Sequence, residues 1–417
     1  MHLLASHAVL IWIISLAGIL CMLLRPWGIR EAVWICVAAV LLIAARLLPL
    51  PLAARAAQKG SGVYLFLAGM MLLAELARHE GVFDWIADIA VRRSHGSASR
   101  LFLLVYCAGI AVTAFLSNDA TAVVLTPAIL AAVRRARAHP KPYLLACALV
   151  ANAASFLLPM SNPSNLVVYG GHMPSLGVWL RYFLLPATAS IATTYFLLRM
   201  ISRNALASEI ESPTQRISLT PAGRLALAGV IFASIVLLVA SGLRVRLGEP
   251  TCVAAVAALI LVSIKDRRIY KRVILDISWS ILPLVAGLFI LVEALNTAGL
   301  LAAIETAFAW LAHQPALPAS LAAATGTALA ANAMNNLPVA LAAGAALTHT
   351  PQLSHAVLIG VNLGPNLSVT GSLATILWLI ALRRDGVEIT RWEFFKTGWV
   401  VMSVALLLSV IALWLVA

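Results

Sequence analysis

One carboxylate stands alone in a long apolar stretch of the chain. Asp119 is the only charged residue between Arg100 and Arg134. A charged side chain is costly inside a bilayer and is usually kept there for function, as a proton carrier, a cation ligand or half of an ion pair. The alternative is a capping role, in which the carboxylate accepts hydrogen bonds from the first N–H groups of a following half-helix. We predict that Asp119 exchanges protons.

Neutral amide and hydroxyl groups are concentrated in four segments, near Asp119, at 152–165, near Asn335 and at 362–372. Such groups often serve helix–helix hydrogen bonding in membranes. These segments carry no Lys, Arg or His and no acid besides Asp119, which suits a neutral polyhydroxylated solute. The predicted substrate ligands are Ser117, Asn118, Thr121, Asn152, Ser161, Asn162, Asn165, Asn335, Asn336, Asn362, Asn366, Ser368, Thr370 and Ser372, with Glu293 as a secondary candidate because no base lies near it in sequence.

The composition places these residues in a membrane protein. The 417 residues are 62% hydrophobic and only 11% charged, whereas soluble domains are about 45–50% apolar and about 25% charged. This difference excludes a soluble enzyme and a disordered chain. The net charge of +13 would suit a nucleic-acid partner, but the basic residues form short clusters between apolar runs, as in proteins that obey the positive-inside rule. The sequence therefore predicts an all-α, multi-pass protein of the cell inner membrane, with no nucleic-acid partner.

Apolar runs of about 20 residues predict membrane-spanning helices. The stretches 101–133 and 315–347 are exceptions, because their arms are too short to span and each must enter and leave on one side. They predict re-entrant hairpins with tips at 117–119 and 335–336. With the basic clusters in the cytoplasm, both termini lie outside. The ten predicted spans are 7–24, 31–48, 61–79, 142–170, 178–200, 222–242, 250–264, 277–300, 353–382 and 394–416.

The two halves of the chain resemble each other. Residues 67–75 align with 285–293, and a glycine follows the final glutamate of each segment by six residues. Polar residues and prolines interrupt the spans 142–170 and 353–382, which predicts two broken helices. The charge pattern gives the two halves opposite orientations in the membrane. We therefore predict an inverted repeat of 1–202 and 222–417 joined by a cytoplasmic linker, 203–221. Inverted repeats with broken helices in matching positions indicate a secondary transporter.

Motifs for other chemistry are missing from the sequence. There is no GxxxxGK[ST] pattern, so the chain has no P-loop for ATP hydrolysis. Its histidines form no metal-ligand pattern, and we predict no enzyme activity, no cofactor and no bound metal. No pair of cysteines has CxxC spacing, which predicts packing roles rather than a zinc or disulfide framework for Cys21, Cys36, Cys107, Cys147 and Cys252.

The polar segments resemble the ArsB arsenite efflux family. Residues 117–127, Ser-Asn-Asp-Ala-Thr-Ala-Val-Val-Leu-Thr-Pro, carry the resemblance together with 152–167 (Asn-Ala-Ala-Ser-Phe-Leu-Leu-Pro-Met-Ser-Asn-Pro-Ser-Asn-Leu-Val), 335–338 and 360–372. The resemblance covers nearly the whole chain. The SN-type motifs are shared with the wider ion-transporter superfamily, which includes dicarboxylate carriers and sodium/proton antiporters.

The resemblance implies export of arsenite and antimonite in exchange for protons, and so arsenic resistance. It also implies an elevator-like movement of the hairpins and broken helices, and a cytoplasmic ATPase partner of the ArsA type, which some members use. No cysteine lies in the four polar segments, so the expected substrate form is the neutral hydroxide As(OH)3. A sodium/proton antiporter, another anion carrier of the superfamily and a non-transporting membrane subunit remain as alternatives.

Overall fold

The computed structural model describes residues 2–170, 172–211 and 216–417, with side chains from residue 7 onward. Residues 212–215 of the predicted linker lie outside these ranges. The described residues form twenty α-helices, joined by turns and short 3-10 segments.

The first half of the chain contains α1 (His2–Leu24), α2 (Glu31–Ala44), α3 (Leu50–Lys59), α4 (Ser61–His79), α5 (Val82–Arg93), α6 (Ala98–Phe115), α7 (Thr126–Arg135), α8 (Pro140–Ala153), α9 (Pro163–Tyr169) and α10 (Leu176–Ile201). The second half contains α11 (Pro221–Gly242), α12 (Gly248–Ser263), α13 (Ile269–Asp276), α14 (Ile281–Thr297), α15 (Leu300–Ala312), α16 (Ala316–Met334), α17 (Asn336–Ala346), α18 (Ser354–Leu363), α19 (Leu373–Arg384) and α20 (Arg391–Val416).

Seven helical stretches in the described ranges are long and apolar enough to cross a membrane, one of which, Ile269–Thr297, comprises α13 and α14. The others are His7–Leu24, Ser61–His79, Ala98–Phe115, Leu176–Ile201, Pro221–Gly242 and Arg391–Val416. Six coincide with predicted spans, whereas Ala98–Phe115 is an arm of the first hairpin. The predicted spans 31–48 and 250–264 form helices of only 14 and 16 residues, α2 and α12. At 1.5 Å per residue they rise about 21 and 24 Å, less than the apolar core of a bilayer. The count of ten spans therefore stays a prediction.

Two helical hairpins occupy the predicted stretches. α6 ends at Phe115, and after a short tip the chain continues through a π-helical segment, Ala120–Leu125, into α7. α16 and α17 are joined by Asn335 alone, whose φ of 76° reverses the chain direction. The tips lie where the sequence places them, at the polar residues that interrupt each apolar stretch, although the first arm, α6, is longer than the sequence predicts and reaches the length of a span.

Two helices are broken at matching positions. α8 and α9 are separated by residues 154–162, and α18 and α19 by residues 364–372. In the first break, Asn162 has an extended backbone and its Oδ1 accepts the N–H of Ser164 at 2.9 Å. In the second break, Ser372 lies 210 residues later, has the same backbone shape, and its Oγ accepts the N–H of Ala374 at 3.2 Å. Each second half-helix is thus capped by the side chain that ends the break.

The halves also pack in matching ways. α4 packs on α12 and α14 packs on α2. A Cβ atom added to Gly69 would lie 2.8 Å from Thr251, and one added to Gly287 would lie 2.7 Å from Ile35. These close approaches require glycine at both positions. The two partner helices, α2 and α12, share a further repeat, because the sequence Cys-Val-Ala-Ala-Val occurs at 36–40 and again at 252–256.

α4 and α14 run antiparallel. Lys59, next to the start of α4, forms an ion pair of 3.1 Å with Glu293, near the end of α14. At the other end, Arg78 of α4 lies 2.7 Å from Asp276, which precedes α14. The sequence-based view that Glu293 has no base nearby is therefore wrong: Lys59 is 234 residues away in sequence and adjacent in space. The antiparallel course accords with opposed halves, although the domain boundaries at 202 and 222 and the membrane orientation stay predictions.

Candidate functional site

A cavity lies where the two hairpin tips meet the second halves of the two broken helices. It contains about 590 Å³ of unfilled space, its open mouth included. Leu67 of α4 and Leu284, Val285 and Leu288 of α14 form an apolar wall. The cavity also has a polar wall drawn from both halves of the chain. Its members are Asn118, Asp119, Asn162, Ser164, Asn335, Asn336 and Ser372.

A second cavity lies beside the first and shares Asp119 with it. This second space is lined by Ser117 and Asp119 of the first tip, by Glu75 of α4 and by Ser278. Leu67, Pro163, Ile281 and Leu373 line both cavities. Asp119 is therefore the one polar group in contact with both spaces among the described residues.

The carboxylate of Asp119 is half-buried and unengaged. It forms no hydrogen bond or ion pair with any residue in the described ranges, while the backbone N–H of Asp119 donates to Oδ1 of Asn118 at 3.0 Å. The start of the following helix is capped by Ser117 instead, whose Oγ accepts the N–H of Ala120 at 3.1 Å. The alternative that Asp119 is only a helix cap therefore has no support from its contacts. Its carboxylate is available to a proton or a ligand.

Helical segments on both sides of the cavity begin at its polar wall. The segment from Ala120, α17, α9 and α19 all start there. The N-terminal end of a helix carries partial positive charge. Among the residues that line the two cavities in the described part of the chain, none is Lys, Arg or His. The site thus presents amide and hydroxyl groups, helix dipoles and carboxylates, without fixed positive side chains.

Four of the predicted ligands form a buried amide network instead of lining the cavities. Nδ2 of Asn362 donates to Oδ1 of Asn165 at 2.9 Å, and Oδ1 of Asn362 accepts from Nδ2 of Asn162 at 2.8 Å. Nδ2 of Asn152 donates to Oδ1 of Asn366 at 2.9 Å. Asn152, Asn165, Asn362 and Asn366 are almost fully buried. Their hydrogen bonds tie the first broken helix to the second.

Four further predicted ligands also lie outside the two cavities. Thr121 and Thr113 share a hydrogen bond of 2.8 Å between their hydroxyls, and Ser161 donates to the carbonyl oxygen of Ala114 at 3.3 Å. Ser368 donates to Oδ1 of Asn332 at 2.6 Å, and Thr370 donates to the carbonyl oxygen of Asn332 at 3.2 Å. The predicted residues that the structure brings to the cavities are Ser117, Asn118, Asp119, Asn162, Asn335, Asn336 and Ser372.

The structure adds polar groups that sequence reasoning missed. Ser164 and Ser278 line the cavities, and so do Glu31 and Glu75. Ser164 belongs to the motif at 161–165 and could have been included on that ground. Glu31 follows Arg25 and Arg30 in sequence, a context typical of an exposed helix end. In the structure, however, only 8% of the residue is exposed.

Glu75, His79 and Asp276 bring one ligand atom each within 4.8 Å of the others. Both carboxylates are already paired with Arg78, which donates to Glu75 at 2.6 Å and to Asp276 at 2.7 Å. Glu75 and Arg78 thus form an ion pair between positions three residues apart near the end of α4. The group is a charge-paired cluster beside the second cavity rather than an open cation site.

Converging hairpin tips and broken helices around a polar cavity, in a chain of membrane-spanning helices, define a membrane transporter. The family model described as "Citrate transporter" (CitMHS) matches residues 3–365, and the chain belongs to this family. Related proteins include the arsenical pump membrane protein of Escherichia coli, which is 27% identical over 363 residues, covering 82% of this chain and 83% of the relative.

An uncharacterized transporter of Mycobacterium tuberculosis (strain ATCC 25618 / H37Rv) is 25% identical over 376 residues, covering 85% of each chain. Among solved structures, the YdaH transporter of Alcanivorax borkumensis matches with a TM-score of 0.58 at 15% identity, covering 92% of this chain and 96% of that one. At this identity the structural match supports the fold alone. The relatives are transporters, which supports a carrier in place of an enzyme.

Proposed function

We propose that the protein exports arsenite and antimonite, as As(OH)3 and Sb(OH)3, from the cytoplasm in exchange for protons, and so confers arsenic resistance. The observation that carries the proposal is the unengaged carboxylate of Asp119, which borders two cavities and is surrounded by neutral amides. The arsenical pump relatives support the substrate class. The proposal places the protein in the inner membrane with both termini outside.

The chemistry of the cavity fits a neutral hydroxide. Arsenous acid is uncharged near neutral pH and offers three O–H donors and three oxygen acceptors. The side chains of Asn118, Asn335, Asn336 and Ser372 can satisfy both kinds of group, and Asp119 can accept an O–H hydrogen bond.

The description of the family model makes citrate the second candidate. At neutral pH citrate carries several negative charges, which need compensation in a site of low polarity. The residues that line the two cavities within the described ranges include three acids and no basic side chain. The lining therefore favours the neutral hydroxide over citrate.

Coupling follows from competition at one carboxylate. When Asp119 is ionised, its oxygens accept a substrate O–H group. When a proton occupies the carboxylate, that acceptor capacity falls and the substrate is released. A carrier that moves with either ligand bound, but not when empty, exchanges the two across the membrane.

The test uses inverted membrane vesicles from cells that lack other arsenite pumps. We would impose a proton gradient without ATP and follow As(III) uptake with sodium present or absent. Wild type is expected to accumulate As(III) without sodium, and Asp119→Asn is expected to fall to the background of empty vesicles. Asp84→Asn is the matched control, because Asp84 lies on α5 and lines neither cavity.

Each alternative has its own result. Sodium-dependent collapse of the pH gradient without As(III) uptake would assign the chain to the cation antiporters. Uptake of labelled citrate with no effect of As(III) would assign it to the anion carriers. Full proton-driven As(III) uptake by Asp119→Asn would remove Asp119 from the mechanism. An uptake that appears only when an ArsA-type ATPase and ATP are added would make such a partner obligatory and exclude transport driven by protons alone.

A further inference from the structure

Glu31 is a second carboxylate in the cavity that holds Asp119. It is the first residue of α2, and its side chain is only 10% exposed. Asp119 approaches the cavity from a hairpin tip, whereas Glu31 approaches it from α2, which packs on α1 and α14. The two acids therefore belong to different packing units and face one space.

Arg25 compensates the charge of Glu31 without using its full hydrogen-bonding capacity. Nη1 of Arg25 and Oε1 of Glu31 are 3.0 Å apart, so the pair is ionic. Oε1 is enclosed against Arg25, whereas the other carboxylate oxygen, Oε2, has no hydrogen-bond donor among the described residues. A carboxylate oxygen in a mostly buried side chain is stabilised when a ligand donates to it. The cavity is the open side from which a ligand reaches Glu31.

The fold itself does not require an acid at this position. The repeated Cys-Val-Ala-Ala-Val sequences make Glu31 the equivalent of Leu247 in the other half of the chain. Glu31 lies five residues before Cys36, and Leu247 lies five residues before Cys252. Leu247 is 3% exposed and belongs to an apolar core cluster. The same place in the architecture is thus filled by leucine in one half and by a buried carboxylate in the other. Packing does not account for the carboxylate.

We propose that Glu31 is a substrate-contacting residue that selects neutral hydroxides, and this inference rests on the proposed function. Its second oxygen, Oε2, accepts an O–H group of As(OH)3 or Sb(OH)3 while Asp119 contacts the same molecule from the hairpin tip. The bound hydroxide then bridges α2 and the first hairpin tip. With Arg25 neutralising one acid, the cavity keeps net negative charge when Asp119 is ionised, so Glu31 also disfavours anions such as citrate.

The test measures As(III) uptake against As(III) concentration in inverted vesicles, for wild type, Glu31→Gln and Glu31→Asp. A lost charge-assisted hydrogen bond predicts a KM at least about tenfold higher in Glu31→Gln. The pH profile should be unchanged, because Asp119 still carries the proton. Glu31→Asp keeps the charge and should recover part of the affinity. Glu249→Gln is the control, because Glu249 is an exposed acid of α12 that lines neither cavity.

The outcomes are separable. If wild type takes up no As(III), the proposed function fails and this inference fails with it. If wild type transports but Glu31→Gln keeps the wild-type KM, only the role of Glu31 fails. The amount of folded protein in the membrane would be measured by size-exclusion chromatography. If Glu31→Gln lowers the maximal rate only in proportion to that amount, and leaves KM unchanged, Glu31 has a structural role. Inhibition by citrate that appears in Glu31→Gln alone would support the selective role.

Discussion

Asp119 and Asn336 lie at equivalent places on the two hairpin tips, because residues 117–121 align with 334–338, yet only Asp119 can carry charge. Both line the same cavity, as do their neighbours Asn118 and Asn335. A carboxylate in each tip would place two like charges in one small space, which is unfavourable in a medium of low polarity. The two tips therefore supply one acid and three amides, and the proposed proton site at Asp119 is surrounded by groups that both donate and accept hydrogen bonds.

At the same scale, Asn362 is predicted to hold the structure together without binding substrate. In Asn362→Ala, Nδ2 of Asn162 and Oδ1 of Asn165 lose their partners in a buried region. Each unsatisfied group costs about 1–3 kcal/mol, so we expect a loss of about 2 kcal/mol or more in the free energy of unfolding. Thermal unfolding of the detergent-purified protein would measure it, with Asn204→Ala at an exposed position as the control.

Transport kinetics of the same variant test the initial assignment of Asn362 as a substrate ligand. The fraction of Asn362→Ala that is folded in the membrane should keep the wild-type KM for As(III). A KM raised tenfold with unchanged thermal stability would contradict the structural role and restore the ligand role.

The helices show which inferences sequence supports and which it does not. The lengths of the apolar arms and the basic clusters at both ends of 101–133 predict that this stretch enters and leaves on one side, and the polar residues 117–119 then predict the tip of a hairpin. They do not show where an amide points. The partners of Asn362 lie about 200 residues away in sequence, and nothing in the local pattern distinguishes this residue from Asn335, which lines the cavity. Glu31 is not recognisable from sequence for a similar reason. Its burial depends on how α2 packs on α1 and α14, and its sequence neighbours do not reveal that packing.

The breaks in the broken helices depend on close backbone approach from other helices. A Cβ atom on Gly398 of α20 would overlap the carbonyl oxygen of Asn366 in the second break. Gly398→Ala must therefore shift α20 or the break, and overpacking of this kind costs about 1–3 kcal/mol. We expect a lower unfolding midpoint and slower As(III) transport. Gly326→Ala is the matched control, because no atom lies within 4 Å of the added Cβ on α16.

Equal tolerance of the two alanines in thermal unfolding would show that the contact between α20 and the second break is not tight. A loss of stability in both would instead indicate a general effect of alanine on these helices. The informative quantity is the difference between the two variants, because each changes one hydrogen to a methyl group inside a helix.

At the scale of the whole molecule, the cavities are placed toward one end of the antiparallel pair α4 and α14. Glu75 near the end of α4 and Ile281 at the start of α14 line them, whereas the Lys59–Glu293 ion pair lies at the other end. An alternating-access carrier built from opposed halves reaches its second state by exchanging the environments of equivalent residues. The alignment of 67–75 with 285–293 makes Val63 the equivalent of Ile281, and Val63 is 8% exposed and packed in the core.

This exchange predicts reciprocal accessibility of two introduced cysteines. Ile281→Cys and Val63→Cys would each be made in a variant without native cysteines, which should keep transport because no cysteine lines either cavity in the described part of the chain. In the conformation described here, a membrane-impermeant maleimide should label Ile281→Cys from one side, the cytoplasmic side by the charge pattern, and leave Val63→Cys unlabelled. A proton gradient with As(III) present should raise labelling of Val63→Cys from the opposite side and lower that of Ile281→Cys. Labelling of both cysteines from the same side, unaffected by substrate or gradient, would contradict an exchange between the halves, because equivalent residues of opposed repeats cannot open to one side together.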